Sequence, residues 1–562
     1  MTNKDLAELL FPDVTKTIED YEKMYPERNL EEGAYVTRFA PSPTGRLHMG
    51  SLFASFVPEV FARQTNGVFI LRIEDTDSKR EIENGTELIL SDLKDNDYKI
   101  DENPIDGGAY GPYIQTERKE IYRTFAKHLV AIGRAYPCFC TEEDLAHMRE
   151  EEESRKERIG YYGKHAKCRN LTYEEVKAHL DKGDKFVIRL KSLGDFNKKL
   201  IFKDLIKGTI ALPENDLDQV LLKSDGIPPY AFAHVVDDHL MRVTHVTRDD
   251  SYISSVPYHV ELWNAFGFKL PKFAHLLPLC VKEGETVRKI SKRKDPEAAV
   301  SFYHERGIPK EAIKMYFATL LNSNFEEWYL QNQDKSYRDF TFTFNKMSKS
   351  GPLFDLEKLL NISRNYISKL TKDEVYKNLL EWTGTYDKEF NNILVKYEDY
   401  TKNVLNIERE QKKPRKDYSC YSDIKNQIFY MYDELYNPTS YEWGKIDDKN
   451  EIIKILKTYM EKYFNITDKE AWFNNIKTLT DELGYCSNMK EYKENPDKYK
   501  GSVADISTVI RVALTSRSMT PDLYEIMRLL GKDRIKERIS FKGGWCMKYS
   551  YGGQALIEGV MM

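Results

Sequence analysis

A histidine in a turn rich in proline and glycine is the first feature of this chain that could do chemistry. Residues 38–51 read Arg-Phe-Ala-Pro-Ser-Pro-Thr-Gly-Arg-Leu-His-Met-Gly-Ser, so His48 and Gly50 stand just before a helix-like run that begins near Ser51. A strand-like run over 35–39 leads into the same turn. A strand, a turn and a helix in this order leave free backbone N–H groups and the positive end of a helix dipole at a sheet edge. The arrangement predicts a binding site for a phosphate chain.

Acidic residues follow the next predicted strand. The apolar run 68–73 has the composition of a parallel strand buried on both faces, and Glu74, Asp75 and Asp77 come directly after it. Open α/β sheets bind ligands at the carboxyl ends of their strands, so we expect these acids near the turn at 38–51, which we call the phosphate turn. Taken alone, the cluster also fits a helix cap and a solvated turn.

The elements that must position these residues form a strand–helix–strand unit. Between the two strands, apolar side chains recur four residues apart in two adjacent rows, which predicts a helix that is kinked at Pro58 and ends at Gly67. Such a unit is half of a nucleotide-binding sheet. The fold class expected from it is α/β.

The whole run 38–51 resembles the HIGH signature of the class I aminoacyl-tRNA synthetases, in the version found in the bacterial glutamyl-tRNA synthetase family. The resemblance implies a Rossmann-like parallel sheet, use of ATP and Mg²⁺, and ligation of L-glutamate to tRNA-Glu through a glutamyl-adenylate. It assigns catalysis to His48 and Gly50. The ATP contacts that it implies in this turn are Pro41, Thr44, Gly45, His48, Gly50 and Ser51, the last of which replaces the second histidine of the signature.

A second stretch, 223–250, resembles the other half of the same catalytic domain. The resemblance implies that Glu74 receives the amino group of the substrate and that the glutamate pocket consists of Arg38, Ser42, Glu74, Tyr230, His234 and Arg248. Fixed guanidinium groups suit a substrate with two carboxylates, because arginine pairs a carboxylate through two N–H groups and stays charged when partly buried. His234 stands where bacterial relatives often carry asparagine, which leaves its contact open.

Two segments compete for the second ATP loop. Residues 346–350, Lys-Met-Ser-Lys-Ser, match the class I consensus letter for letter, whereas residues 289–293, Lys-Ile-Ser-Lys-Arg, match its glutamyl variant. The earlier segment follows the strand-like run 276–281 and precedes an alanine-rich helix, as a loop that closes a nucleotide sheet should. We therefore predict that Lys292 is catalytic and that ATP contacts Lys289, Ile290, Ser291, Lys292 and Arg293.

Three cysteines could bind a metal ion. Cys138 and Cys140 form a Cys-x-Cys pair, and Cys168 follows from a distant loop, a set that suits tetrahedral zinc. Tyr162 and His165 are the candidates for the fourth ligand. Some members of the family hold structural zinc in this part of the chain. Reduced thiols that pack as small apolar residues remain the alternative.

Composition limits the class of protein. The chain has 562 residues and a net charge of −5, which predicts two to four domains and argues against a uniformly basic nucleic-acid binder. It has no run of eighteen apolar residues and no apolar segment near its N-terminus, so we expect a cytoplasmic protein without a membrane span. Seven cysteines do not suggest a disulfide framework.

We predict five parts along the chain. A helical extension (1–34) precedes a catalytic domain (35–305) that is split by an α+β insertion (110–215). A stem-contact connector (306–365), an all-α anticodon-binding domain (366–539) and a tail (540–562) that does not fit the resemblance follow. We expect a monomer.

Alternative functions are disfavoured to different degrees. A glutaminyl enzyme conflicts with the Pro41-Ser-Pro-Thr sequence and with a helical second half. The truncated relative that modifies a tRNA base has no anticodon domain. A non-catalytic, synthetase-like tRNA-binding protein would not need His48, Gly50, Glu74 and Lys292 together. Whether tRNA-Gln is charged as well as tRNA-Glu is left open.

Overall fold

The structure is a computed structural model that describes residues 1–77, 82–348 and 351–540, and these form two compact units. The first unit comprises residues 1–302 and 314–356, and the second comprises residues 303–313 and those from 357 onward. The tail beyond Ser540 lies outside the described residues, as do Lys349 and Ser350 of the rival ATP segment.

The first two thirds of the chain mix helices and strands. The helices up to residue 331 are α1 (Asn3–Leu10), α2 (Ile18–Met24), α3 (Met49–Gln64), α4 (Gly85–Asp95), α5 (Lys119–Ala131), α6 (Glu142–Ser154), α7 (Tyr173–Asp181), α8 (Tyr230–Leu240), α9 (Val256–Phe266), α10 (Val300–Arg306), α11 (Lys310–Leu321) and α12 (Asn324–Gln331). The strands are β1 (Val36–Phe39), β2 (Val68–Leu71), β3 (Ala135–Cys138), β4 (Val187–Leu190), β5 (Lys199–Asp204), β6 (Gly208–Pro213), β7 (Val220–Leu222), β8 (His245–Asp249), β9 (Lys272–Leu276), β10 (Cys280–Glu283) and β11 (Thr286–Lys289).

The expected parallel strands are present as two pairs. β1 pairs with β2, from Val36 opposite Val68 to Phe39 opposite Leu71, and β8 pairs with β9 along its whole length. The pairs adjoin where the backbone N–H of Thr244 donates to the carbonyl of Val36 at 3.0 Å. Their strands are almost fully buried, which explains the continuous apolar runs in the sequence.

Part of the predicted insertion joins this parallel core. β5 and β6 form an antiparallel hairpin, and β5 meets β9 where Asp204 lies opposite Phe273, which gives the strand order β6-β5-β9-β8. β3, β4 and β7 form a separate antiparallel sheet. The α+β character expected of 110–215 is confirmed, and its hairpin delivers a carboxylate to the catalytic core.

Helix α3 begins two residues earlier than predicted, because His48 is its N-cap. The imidazole Nδ1 of His48 accepts a hydrogen bond from the backbone N–H of Ser51 at 2.9 Å. The helix continues through Pro58 to Gln64, and the carbonyl of Pro58 accepts a hydrogen bond from the hydroxyl of Thr37 at 2.8 Å.

The prediction of a strand over 276–281 is wrong. β9 ends at Leu276, and the short hairpin β10–β11 then intervenes before the Lys289 segment. Pro278 lies in the middle of the run, and proline has no N–H to donate to a strand ladder. The predicted ATP loop therefore follows a hairpin strand rather than a strand of the central sheet.

The second unit is helical, as predicted. Among its described residues we find helices, turns and one isolated bridge, and no strand. Its helices are α13 (Leu356–Lys369), whose first residue belongs to the first unit, α14 (Lys372–Tyr386), α15 (Lys388–Lys396), α16 (Glu398–Leu405), α17 (Tyr421–Ile428), α18 (Lys449–Thr458), α19 (Lys469–Glu482), α20 (Met489–Glu494), α21 (Val503–Thr515) and α22 (Leu523–Ile539). One continuous apolar core runs from Ile367 to Ile539. No helix of the described chain is both long enough and apolar enough to cross a bilayer.

Candidate active site

A cavity of about 620 Å³ lies where β1, β2, β8 and β9 end. The sequence-predicted residues that line it are Arg38, Pro41, Ser42, Thr44, Gly45, His48, Gly50, Ser51, Glu74, Tyr230, Arg248, Lys289, Ile290 and Lys292. Three other predicted residues are not among its lining: His234, Ser291 and Arg293. Folding thus gathers most of the expected ATP and glutamate residues around a single space.

The phosphate turn presents a neutral imidazole. Burial, together with the charges of Lys292 and Lys289, lowers the pKa of His48 to about 4. Because its Nδ1 accepts from the backbone of Ser51, the ring proton sits on Nε2, which has the Ser51 hydroxyl 3.3 Å away and can turn its proton to an anion. A methyl group at Gly50 would lie 3.0 Å from Cε1 of His48, so only glycine leaves this imidazole unobstructed.

The segment 289–293 lies against the same turn. The Lys292 ammonium donates to the backbone carbonyl of Arg46, two residues before His48, and burial lowers its pKa. Asp295 fixes the segment, since it accepts from the backbone N–H of Ser291 at 2.8 Å and from the Arg288 guanidinium at 2.7 Å.

The described residues of the rival segment lie elsewhere. Lys346, Met347 and Ser348 do not line the cavity. Phe344, just before them, stacks on Phe61 of α3 with 3.8 Å between ring centroids.

One buried carboxylate holds two arginines at the other end of the cavity. Asp238 of α8 accepts from Nε of Arg38 at 3.3 Å and from Nη1 of Arg72 at 2.7 Å. Burial alone would raise the pKa of Asp238, but Arg38, His234 and Arg72 hold it well below its usual range. Asp238 is therefore ionised and leaves little freedom to either guanidinium.

Glu74 shows the opposite shift. Its carboxyl is buried and accepts from Nη2 of Arg72 at 2.9 Å. Burial raises the pKa of Glu74 to about 7, although Arg72 and Arg38 act against the rise. The carboxylate is thus poised to gain a cationic partner in the cavity.

Arg248 has no carboxylate partner among the described residues. Its Nε donates to Nε2 of His275 at 3.0 Å, and its Nη1 donates to Nδ1 of His259 at 3.0 Å. Its Nη2 is buried without a hydrogen-bond partner in the described structure. A buried, uncompensated guanidinium at a cavity wall is a receptor for an anionic group.

His234 supports the pocket from behind. Its ring lies parallel to that of Tyr230 with 5.6 Å between centroids, and its Nδ1 donates to Asp238 at 2.7 Å. Burial lowers the pKa of His234 to about 4, so the ring is neutral. The contact that the sequence left open is therefore one with Asp238.

Five buried polar residues that the sequence reasoning did not single out complete the site: Arg72, Asp204, Asp238, His259 and His275. The available signal was a charged or histidine side chain inside an otherwise apolar run, as at 232–240 and 256–266. Such a residue is expected to have a buried polar partner. Sequence alone does not identify that partner.

The three predicted cysteines also come together. The Sγ atoms of Cys138, Cys140 and Cys168 lie within 4.8 Å of one another. The hydroxyl of Tyr162, one of the two predicted candidates for the fourth ligand, instead donates to the carbonyl of Arg158 at 2.7 Å.

Of the two candidates for the fourth ligand, His165 also lies elsewhere. Its Nε2 contacts Glu157 at 2.9 Å. The tyrosine at the cluster is Tyr161, whose hydroxyl lies 3.3 Å from Sγ of Cys138 and 3.4 Å from Sγ of Cys140.

Comparisons with known proteins agree with this geometry. The family model described as "tRNA synthetases class I (E and Q), catalytic domain" matches residues 34–361, and a model described as "Anticodon binding domain" matches residues 413–541. The chain therefore belongs to the class I aminoacyl-tRNA synthetases, in the group that handles glutamate and glutamine. Curated relatives that are 43% and 48% identical over 96% of the chain are glutamate--tRNA ligases, and the chain belongs to that family.

Curated relatives are similar over nearly their whole length. A glutamate--tRNA ligase from Acetivibrio thermocellus is 48% identical over 96% of this chain and 99% of the relative. One from Clostridium perfringens is 43% identical over 96% of this chain and 100% of the relative. A crystal structure of a glutamate tRNA ligase from Elizabethkingia meningosepticum, in complex with its amino acid, matches with a TM-score of 0.72 at 27% identity, over 90% of this chain and 98% of that one.

Proposed function

We propose that this chain ligates L-glutamate to tRNA-Glu in two steps; its curated relatives are named glutamate--tRNA ligases. The observation that carries the proposal is the position of Arg248, a buried guanidinium without a carboxylate partner among the described residues, in the cavity that also holds the phosphate turn. An amino acid with an anionic side chain would pair with Arg248, and a nucleoside triphosphate would bind at the phosphate turn. Glutamine, whose side chain is neutral, would leave the charge of Arg248 uncompensated.

In the first step the α-carboxylate of glutamate attacks the α-phosphorus of ATP, and pyrophosphate leaves. No enzyme nucleophile is needed, so the protein positions two anions and stabilises the charge that grows between them. We assign this work to Nε2 of His48, to the backbone N–H groups after Gly50 and to the Lys292 ammonium. Mg²⁺, when bound together with ATP, would supply further neutralisation of the leaving pyrophosphate.

The remaining residues bind and orient the substrates. We propose that Arg38, Ser42, Glu74, Tyr230 and Arg248 contact glutamate, with Glu74 on its amino group and Arg248 on its side-chain carboxylate. His234 acts through Asp238, which it contacts at 2.7 Å. The proposed ATP contacts are Pro41, Thr44, Gly45, Ser51, Lys289 and Ile290, while Ser291 and Arg293 belong to the loop that carries Lys292.

In the second step a ribose hydroxyl of the terminal adenosine of the tRNA attacks the acyl carbon, and AMP leaves. Because the chain belongs to the class I synthetases, we take the attacking group to be the 2′-hydroxyl. The proton released by the ribose passes to the departing phosphate, which requires no further base from the protein.

The decisive experiment is charging of purified tRNA-Glu and tRNA-Gln with labelled glutamate, in the presence of ATP and Mg²⁺. Charging of tRNA-Glu alone would establish the proposed, discriminating enzyme. Charging of both would extend the substrate range to tRNA-Gln. Charging of neither by folded protein would overturn the proposal and favour a tRNA-binding protein without catalysis.

We further propose that the enzyme works as a cytoplasmic monomer, with the five-part layout predicted from sequence. The family model that begins at residue 34 supports a boundary after the N-terminal helices. Light scattering at the concentration used for the charging assay tests the monomer, and cell fractionation tests the location.

We also propose that the cysteine cluster holds structural zinc. Three thiols within 4.8 Å of one another are the kind of ligand that zinc prefers, and the Tyr161 hydroxyl beside Sγ of Cys138 would complete a set of four. Bound there, zinc would join β3 to the segment 161–168. The ligands would be Cys138, Cys140, Cys168 and Tyr161.

Metal analysis of the purified protein tests this site. We expect an equimolar amount of zinc, lost in Cys138→Ser but retained in Cys486→Ser, because Cys486 is buried in the second unit. Tyr161→Phe should weaken zinc binding about 10- to 100-fold, whereas Tyr162→Phe should leave it unchanged. Equal zinc content in the two cysteine variants would contradict the assignment.

A further inference from the structure

Arg248 is held by two imidazoles and not by acids. His275 of β9 accepts from its Nε and His259 of α9 accepts from its Nη1, both at 3.0 Å. The guanidinium also lies over the ring of Phe273, with Cζ 4.9 Å from the centroid. Because the guanidinium is planar, two occupied edges and one stacked face fix the direction of the third nitrogen, Nη2.

A carboxylate behind His275 sets which nitrogen of the ring accepts. Oδ2 of Asp204 lies 2.7 Å from Nδ1 of His275, so the ring proton sits on Nδ1 and Nε2 is free to accept from Arg248. Asp204 is itself fixed, since it also accepts from the backbone N–H groups of Ile206 at 2.9 Å and Lys207 at 2.8 Å. The hydrogen bonds thus run in one direction, from Arg248 to His275 to Asp204.

The choice of imidazole over carboxylate has an electrostatic consequence. Burial lowers the pKa of both His259 and His275, so each ring accepts a hydrogen bond without bringing a negative charge. A carboxylate in either place would pair with Arg248 and cancel its charge. Two neutral acceptors instead orient the guanidinium and leave its charge for a ligand.

We propose that Asp204, His275 and His259 form a positioning group that aims Nη2 of Arg248 at the side-chain carboxylate of the amino acid and preserves the charge that distinguishes a carboxylate from an amide. The inference rests on the proposed function, in which Arg248 receives that carboxylate. These three residues do not touch the substrate, and they act through Arg248.

The first arm of the test compares His259→Asn with His259→Asp. Both side chains can place an oxygen near the position of Nδ1, but only aspartate carries a charge. We expect His259→Asn to keep the KM for glutamate within about threefold. His259→Asp should raise that KM about 10- to 100-fold and lower the preference for glutamate over glutamine by a similar factor, because a charged hydrogen bond is lost.

The second arm compares His275→Gln with His275→Phe. Glutamine can place a neutral oxygen near Nε2, whereas phenylalanine keeps the ring between Phe202 and Phe273 but offers no acceptor. We expect His275→Phe to raise the KM for glutamate about tenfold, with kcat and the KM for ATP within about threefold, and His275→Gln to recover most of the loss. A purely structural role would lower kcat and thermal stability in both variants alike.

All variants are assayed as full-length protein by glutamate-dependent pyrophosphate exchange with tRNA-Glu present, and folding is checked by thermal melting. Equal glutamate preference in His259→Asn and His259→Asp, in an active wild-type background, overturns the positioning group alone. The same holds for equal KM values in the two His275 variants. A folded wild-type enzyme that does not activate glutamate overturns the proposed function and this inference together.

Discussion

At the scale of single residues, position in the cavity decides what a carboxyl group does. Glu74 and Asp238 are both buried and both contact Arg72. Asp238 also has Arg38 and His234 against it, and its pKa is far below the usual range, whereas the pKa of Glu74 rises to about 7. Asp238 is therefore permanently charged and binds two arginines, whereas Glu74 can become charged when a cation binds beside it.

The raised pKa of Glu74 should make glutamate binding dependent on pH. In the role proposed for Glu74 the carboxylate must be ionised to hold the substrate amino group, so kcat/KM for glutamate should rise about tenfold from pH 6 to pH 8, around a midpoint near 7. The pKa values of His48 and His234 lie near 4, so these rings do not titrate in that range. Steady-state kinetics with Glu74→Gln as control should give a lower and flat profile. A wild-type profile that is equally flat would contradict the assignment.

The same shift has a stability consequence of opposite sign. The pKa of Glu74 in the folded protein lies above its unfolded value, so its protonated form stabilises the fold below about pH 4.5, and this contribution is lost as pH rises through 7. We expect Glu74→Gln to gain stability relative to wild type between pH 5 and pH 8, by up to about 3 kcal/mol. Chemical denaturation at pH 5 and pH 8 measures the free energy of unfolding of both proteins. A difference between variant and wild type that is the same at the two pH values would refute the prediction.

Lys292 should carry more of the activation step than Lys349. The Lys292 ammonium lies in the cavity wall, and a charged hydrogen bond is worth about 1.5–3 kcal/mol, so Lys292→Ala should slow pyrophosphate exchange about 10- to 100-fold. Lys349 belongs to the segment whose residues 346–348 do not line the cavity. Lys349→Ala should therefore retain most of the rate. Equal losses would reject the choice of the earlier loop.

At the scale of elements, the site depends on how helices and strands end. Asp237 and Asp238 are neighbours on α8, yet consecutive helical residues point in directions about 100° apart. Asp238 accordingly reaches Arg38, and Asp237 reaches Arg118 at 2.6 Å. One turn of helix thereby fixes the amino-acid pocket on one side and the start of α5 on the other.

The start of α3 allows activity and stability to be separated. In Gly50→Ala the new methyl group would lie 3.0 Å from Cε1 and 3.1 Å from Nδ1 of His48, which must shift. Alanine is the better helix former by about 1 kcal/mol, which offsets the roughly 1 kcal/mol that a weakened His48 cap would cost, so the free energy of unfolding should change little. We expect pyrophosphate exchange to drop about tenfold without loss of thermal stability.

The control for Gly50→Ala is Ala54→Gly, in helix α3 and also at the cavity wall. A glycine with a positive φ, such as Gly133 at +73°, would not serve as a control, because any side chain is strained there. Ala54→Gly should reduce stability and leave more of the rate than Gly50→Ala. The reverse order of rates would contradict a role for the space beside His48.

At the scale of the whole molecule, each unit has its own cavity. The second unit has an open cavity of about 750 Å³ whose lining includes Trp472, Phe473, Lys469 and Arg511. Four acidic residues also line it: Glu408, Asp468, Glu470 and Asp522. Most are engaged with protein, since Lys469 pairs with Asp522 and Arg511 donates to carbonyls. Phe473 is 40% exposed, with the Lys477 ammonium 4.8 Å from its ring centroid, and an exposed aromatic ring is a surface on which an unstacked base can stack.

Phe473→Ala should weaken tRNA binding without affecting amino-acid activation. Stacking of a base on an aromatic ring is worth about 1–3 kcal/mol, so the KM for tRNA-Glu should rise about 5- to 100-fold. The KM for glutamate at saturating tRNA should stay the same. Val395→Ala, at an exposed apolar residue that does not line this cavity, is the matched control. Equal KM values for tRNA in the two variants would rule out this contact.

The chemistry that is local in the chain could be predicted from sequence. The turn at 38–51 brings its proline, glycine and histidine residues together through the backbone itself, because a strand, a turn and a helix in succession allow few geometries. The all-α second half was also predicted from sequence, with the help of the family resemblance. The prediction of a strand over 276–281 was wrong for a local reason that the sequence itself shows, because Pro278 lies inside the run.

Only tertiary structure decided which distant groups pair. Arg38 and Asp238 are 200 residues apart, and Arg248 acquires its acceptors from α9, β9 and, behind them, the β5 hairpin. In the cysteine cluster, adjacent tyrosines differ only in side-chain direction, and folding turned Tyr161 and not Tyr162 toward the thiols. Sequence determines which residue types are available. It also determines how neighbouring residues are arranged, because backbone geometry is short-range. Partners and pKa values are set by burial and by contacts across the fold, which no short stretch of sequence contains.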